Sequence, residues 1–77
     1  MERVEDFRGE PWVVRSITGS ASTKPYRCPG CDHEIRPATP HVVAWPQEGP
    51  AGGAGLDLRR HWHSPCWGAR EARGPRW

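Results

Sequence analysis

No run of the 77-residue chain approaches the roughly 20 consecutive apolar residues of a membrane-spanning helix, so a helical transmembrane role is excluded. Apolar residues make up only 35% of the chain and mean hydropathy is −0.82, which leaves one domain at most and little material for a core. Cysteine is scarce as well. Three cysteines cannot all pair, there is no apolar leader segment, and the chain opens on the acidic Met1-Glu2-Arg3-Val4-Glu5-Asp6. Together these point to a reducing, cytoplasmic setting, where closely spaced cysteines serve metals or redox chemistry rather than disulfides. Several catalytic signatures are missing too: there is no Gly-x-x-x-x-Gly-Lys phosphate loop, no His-Glu-x-x-His, and no His-x-Glu accompanying the cysteines as in zinc deaminases.

What cysteine there is falls into one pattern. Cys28 and Cys31, in Tyr26-Arg27-Cys28-Pro29-Gly30-Cys31, are answered by His63 and Cys66, in His61-Trp62-His63-Ser64-Pro65-Cys66-Trp67. Both halves have the two-residue gap with which a tight turn aims two side chains at one ion, about 2.3 Å from each sulfur and about 2.0 to 2.1 Å from an imidazole nitrogen. The expectation is one structural Zn²⁺ held by Cys28, Cys31, His63 and Cys66. A redox dithiol is the weaker reading, because the residues around Cys28 lack the βαβ alternation of a thioredoxin-like site. In the first half Pro29 presets φ and Gly30 is suited to a positive φ. In the second, Ser64 is suited to cap a helix and Pro65 to begin it, with Cys66 in the first turn and His63 closing the strand before. Such an ion contributes an apparent ~10 to 16 kcal/mol, the stability that so small a core lacks.

The spacing of apolar residues predicts a small α+β zinc-stabilised domain of antiparallel strands followed by a short C-terminal helix. Trp12 to Ile17, His41 to Trp45 and Arg59 to His63 are the strands, the last two antiparallel partners. Residues 46–55 read as a Gly- and Pro-rich loop, and Ser64 to about Arg73 as a helix stopped by Gly74-Pro75. Residues 1–10 read as a disordered tail, 11–74 as a single zinc-binding domain and 75–77 as a second tail.

The ligand order, Ile35 four residues after Cys31, a hydrophobic strand, a central gap of 31 residues and the tryptophan after Cys66 resemble the zinc finger of poly(ADP-ribose) polymerases over about residues 25–70. The chain as a whole also resembles small uncharacterised actinobacterial proteins with the same core. The finger family implies recognition of DNA ends and nicks by a sheet-and-loop surface, with bulky apolar side chains from the loop before the histidine stacking on bases. In this chain that loop offers only Leu56 and Leu58.

The charge balance permits such a partner without demanding it. Residues 1–10 carry a net −2 and residues 11–77 a net +4. Ten of the eleven basic residues are arginine, which with abundant Gly, Pro, Ala and Trp fits a GC-rich genome and is no functional signal by itself. Arg27, Arg36, Arg59 and Arg60 are the expected phosphate contacts, with Trp45 as an exposed aromatic platform. Trp62 is expected to fill the core and Trp67 to shield the metal; His61, His33 and His41 are read as solvated or as neighbours of the site. Three thiolates and one imidazole leave no open position on the ion, so an enzyme is not expected. The function expected is nucleic-acid binding by a zinc module; the alternative is a zinc-stabilised adaptor for a protein partner, the use made of a similar His-x-x-Cys half in LIM-like modules.

Overall fold

The computed structural model describes residues 2–48 and 58–73. Four antiparallel strands form the main sheet in the order β1-β2-β5-β6: β1 (Glu2–Phe7), β2 (Glu10–Ile17), β5 (His41–Pro46) and β6 (Arg60–Trp62). Between β2 and β5 the chain makes a short 3₁₀ turn (Gly19–Ala21) and a two-stranded hairpin of β3 (Tyr26–Arg27) and β4 (Glu34–Ile35). Two short helices follow, α1 (Ser64–Gly68) and α2 (Arg70–Arg73). Among the described residues no helix is long and apolar enough to cross a membrane.

The expected strands are present, each within two residues of its predicted ends. Three expectations need correction. Residues 2–7 are a strand and not a disordered tail: β1 pairs with β2 from Glu2↔Arg15 to Phe7↔Glu10. The two-residue connection Arg8-Gly9 has φ of 55° and 78°, the signature of a type I′ turn whose twist matches that of the strands it joins. The single predicted helix is two, broken at Ala69. Ser64 is its first residue rather than its cap; His63 holds the cap position, with φ −57° and ψ 141°, and makes no side-chain capping bond. The expected loop over 46–55 lies mostly outside the described residues, as do Gly74-Pro75 and the tail at 75–77.

Strand alternation divides the sheet into two faces. Phe7, Trp12, Val14, Val42, Ala44 and Trp62 point inward and are buried, joined there by Trp67 of α1 and Ile35 of β4. Phe7 sits among three tryptophans, 5.1 Å from Trp12, 5.6 Å from Trp67 and 5.9 Å from Trp62, each contact edge-on. Such edge-to-face contacts between ring quadrupoles add to the burial of large apolar area. The strand that reads as a tail therefore supplies the central ring of the core. Its neighbours tie it to the helices: Trp67 Nε1 donates to Glu5 Oε1 at 3.0 Å, and the Arg70 guanidinium donates to the Asp6 carbonyl at 2.7 and 3.0 Å.

Candidate metal centre and the outer sheet face

The β3–β4 hairpin brings Cys28 and Cys31 to the end of the core. Cys28 N–H donates to the His33 carbonyl at 2.9 Å, and Asp32 N–H donates to the Cys28 carbonyl at 2.7 Å, closing the turn around the two thiols. The positive φ of this turn falls on Asp32, at 58°, and not on Gly30. Gly30 is favoured for another reason: a Cβ there would stand 3.0 Å from Cys66 Cβ and 3.0 Å from the Trp62 ring. The turn lies directly on the second half of the site, and a side chain at position 30 would fit only if Cys66 or the Trp62 ring moved by a few tenths of an ångström.

On that side β6 ends at Trp62 and the chain turns at His63 into α1. Trp67 N–H donates to the His63 carbonyl at 3.0 Å, which sets the first helical turn and carries Cys66 toward the hairpin. His63 N–H donates to Cys28 Sγ at 3.3 Å, and His63 Nδ1 lies 3.3 Å from Cys31 Sγ. One donor atom from each of Cys28, Cys31, His63 and Cys66 lies within 4.8 Å of the others. Donors on a tetrahedron with bonds of ~2.3 Å stand ~3.8 Å apart, so the four need only small shifts to hold one ion. The same turn separates His63 from His61, which on an uninterrupted strand would share its face.

Two of the thiols are shifted in opposite directions by their surroundings. At Cys66 burial first, and then the charge on Cys28, pushes the thiol up to about 11. At Cys31 burial also opposes ionisation, but hydrogen bonds from the His33 backbone and side chain, and from Cys66 and Cys28, outweigh it and bring the thiol down to about 6. Thiols must ionise to ligate a cation, so loading such a cluster would release protons.

The five residues expected to contact nucleic acid do not share one surface. Trp45 and Arg59 lie together on the outer face of the sheet, beside a shallow depression of about 270 Å³. Arg60, next in sequence, falls on the opposite face near Trp12, Pro46 and the exposed Leu58. Arg27 is held by Asp32, donating to its carbonyl at 2.8 Å and pairing with its carboxylate at 3.3 Å. Arg36 is exposed just beyond β4. Leu56 lies outside the described residues.

Three members of the outer-face depression were not anticipated: Arg15, Tyr26 and His61. Cross-strand register puts Arg15 opposite Val43 and Val43 opposite His61, so the arginine and the histidine stand in one row across three strands. Tyr26 stacks on His61 with ring centres 3.5 Å apart and planes 8° from parallel. Behind it, His41 is buried at 2% exposure rather than solvated, because its Nδ1 lies 2.8 Å from the Thr39 carbonyl oxygen and its Nε2 2.7 Å from His61 Nδ1. Burial first, then coulombic opposition from the His41 and Arg59 side chains, pushes His61 down to about 4. Residues two apart on one strand share a face, so Arg59 with His61, and Arg60 with Trp62, is the pairing that alternation alone would have given.

A family model described as "Rv1322 family protein" matches residues 3–68, and the chain belongs to that family. It is 55% identical over 67 residues to the uncharacterized protein Rv1322 of Mycobacterium tuberculosis and, to the same extent, to the uncharacterized protein Mb1356 of Mycobacterium bovis. These matches cover 87% of this chain and 66% of each relative, so the matched region is just under two thirds of the relatives' length. No solved structure matches the chain.

Proposed function

We propose that this member of the Rv1322 family is a module stapled by one structural zinc ion, and that it binds nucleic acid through the outer face of its sheet. The donor set supports zinc: three sulfurs and one imidazole nitrogen are the ligands of a closed tetrahedral site, and free thiols of this kind persist in a reducing cytoplasm. With four protein donors the ion has no position for water, so it holds β6 and α1 against the hairpin and performs no chemistry. Likeness to the poly(ADP-ribose) polymerase finger, in ligand order and spacing, supports the same partner.

One observation carries the nucleic-acid reading. Arg15, Arg59, Trp45, Tyr26 and His61 line a single depression, and no carboxylate is among its described lining residues. Cations beside aromatic faces hold phosphates and bases without requiring a deep pocket. Gel-shift titrations with nicked, blunt and single-stranded DNA and with RNA should show micromolar binding that weakens as salt rises. No binding to any of them at low salt, with the zinc verified by native mass spectrometry, would instead favour a zinc-stabilised adaptor for a protein partner.

A further inference from the structure

The outer-face depression contains one group whose hydrogen-bonding role is dictated by its neighbours. His41 Nδ1 faces the Thr39 carbonyl oxygen, which can only accept, so that nitrogen carries a proton. One proton must then lie between His41 Nε2 and His61 Nδ1, 2.7 Å apart. Placing it on His41 would create an imidazolium at 2% exposure whose partners are a carbonyl and another imidazole. A buried charge without a counter-charge is costly, so the proton belongs to His61 Nδ1. An imidazole is neutral at pH 7.5, above its ordinary pKa of about 6.5, so His61, with its proton on Nδ1, keeps a lone pair on Nε2; its ring bonds His41 through Nδ1. Tyr26, stacked on the ring, holds its plane.

An acceptor-only nitrogen selects what can sit against it. Phosphate oxygens only accept, so the position beside His61 suits an N–H of a base or a sugar hydroxyl, and phosphates are left to Arg15 and Arg59. Arg15 is available for this: its partner Glu2 is 3.9 Å away and both side chains are more than half exposed, a pairing worth little in water. The depression, at about 270 Å³, is smaller than the ~300 to 1,000 Å³ of sites that enclose a drug-sized ligand. Trp45 can stack only on a base whose face is open, as in a strand that is not paired.

We propose that this depression seats one nucleotide of a single-stranded nucleic acid, with its base against Trp45, its phosphates at Arg15 and Arg59, and an N–H or O–H donated to His61 Nε2. The inference rests on the nucleic-acid reading above and adds the state of the strand and the recognition group. Its test is fluorescence anisotropy at pH 7.5 with labelled eight-nucleotide DNA and RNA single strands and the matching duplexes, using the full zinc-loaded chain. The single strand should bind at least about tenfold more tightly than the duplex, and Trp45→Ala should weaken it by about tenfold. His61→Phe keeps a flat ring against Tyr26 and deletes the acceptor; it should weaken single-strand binding about fivefold with an unchanged salt slope. Should that variant fail to fold, long-range ¹⁵N–¹H NMR of the unmodified chain gives the answer directly, with His61 protonated at Nδ1. Equal affinity for duplex, undiminished binding by folded His61→Phe, or a proton on His61 Nε2 would overturn this inference while nucleic-acid binding stood. Binding to no oligonucleotide would overturn both.

Discussion

On the inner face of the sheet Trp62 is wholly excluded from solvent and Trp67 nearly so, and both pack around Phe7 next to the cysteines. On the outer face Trp45 and His61 are half-buried, flanked by arginines, and open onto a shallow hollow. The same residue types thus serve two ends, set by register and not by identity. Inner aromatics exchange water for one another and for the Cys/His cluster; outer ones keep a face in water and an arginine beside it. The contrast teaches that in so small a domain the packed core and the basic, aromatic outer hollow are built from alternate residues of the same strands.

Removing the metal should break the comparison most completely. Chelation, or Cys28→Ser, is expected to unfold the chain, because an apparent ~10 to 16 kcal/mol from structural zinc is as large as the whole stability of a typical domain. Loss of dispersed amide resonances together with near-ultraviolet circular dichroism would show it; a chain that stays folded without metal would refute the structural role. Next in size is Phe7→Ala, expected to cost ~3 to 5 kcal/mol by denaturant titration with one metal still bound. A disordered tail would make this substitution silent.

Smaller effects separate the faces further. Arg15→Ala and Arg59→Ala should each change stability by no more than about 0.5 kcal/mol while lowering the salt dependence of nucleic-acid binding by about one ion. Substantial destabilisation by either would mean that the outer face is structural. The smallest effect is at Glu5. Burial opposes its ionisation, but hydrogen bonds from Arg3 and Trp67 and the charges of Arg3 and Arg70 outweigh burial and hold the carboxyl below its ordinary 4.5. The folded pKa is depressed, so the contribution is present above the ordinary value and is lost as pH falls through the folded one. Glu5→Gln should therefore be less stable by roughly 1 kcal/mol at pH 7, and the gap should close below about pH 4.5. Paired thermal melts across that range would check it; a gap that widens on acidification would contradict the sign.

The convergence of Cys28, Cys31, His63 and Cys66 was legible because its geometry is local: two residues between members of each pair leave little freedom in where the side chains point. Beyond the cluster, legibility followed how strongly each segment alternates. Strand β5 announces itself through Val42, Val43 and Trp45. Strand β1 does not, since Phe7 is its single buried residue and the charges at Glu2, Arg3, Glu5 and Asp6 mask the period. Its turn is Arg8-Gly9, outside the Asn-Gly and Asp-Gly pairs that signal a type I′ hairpin. The outer-face group was illegible for a different reason. Arg15, Val43 and His61 are joined by register across three strands, and Tyr26 reaches His61 from a separate hairpin. Proximity in sequence suggested Arg59 and Arg60 as a pair, and alternation sent them to opposite faces.

The missing side chain at Gly30 also bears on how this sequence can change over time. Trp62 keeps its six-membered ring over the glycine, while its indole N–H is buried without a partner. Trp62→Phe would delete that N–H and withdraw the ring edge, clearing part of the space that alanine at 30 needs, although Cys66 Cβ stays 3.0 Å away. Alanine at 30 should then be tolerated better beside phenylalanine than beside tryptophan, with a double-mutant penalty smaller than the sum of the singles. Positions 30 and 62, 32 apart in the chain, are expected to behave as an epistatic pair, which a double-mutant cycle read by denaturant titration would check.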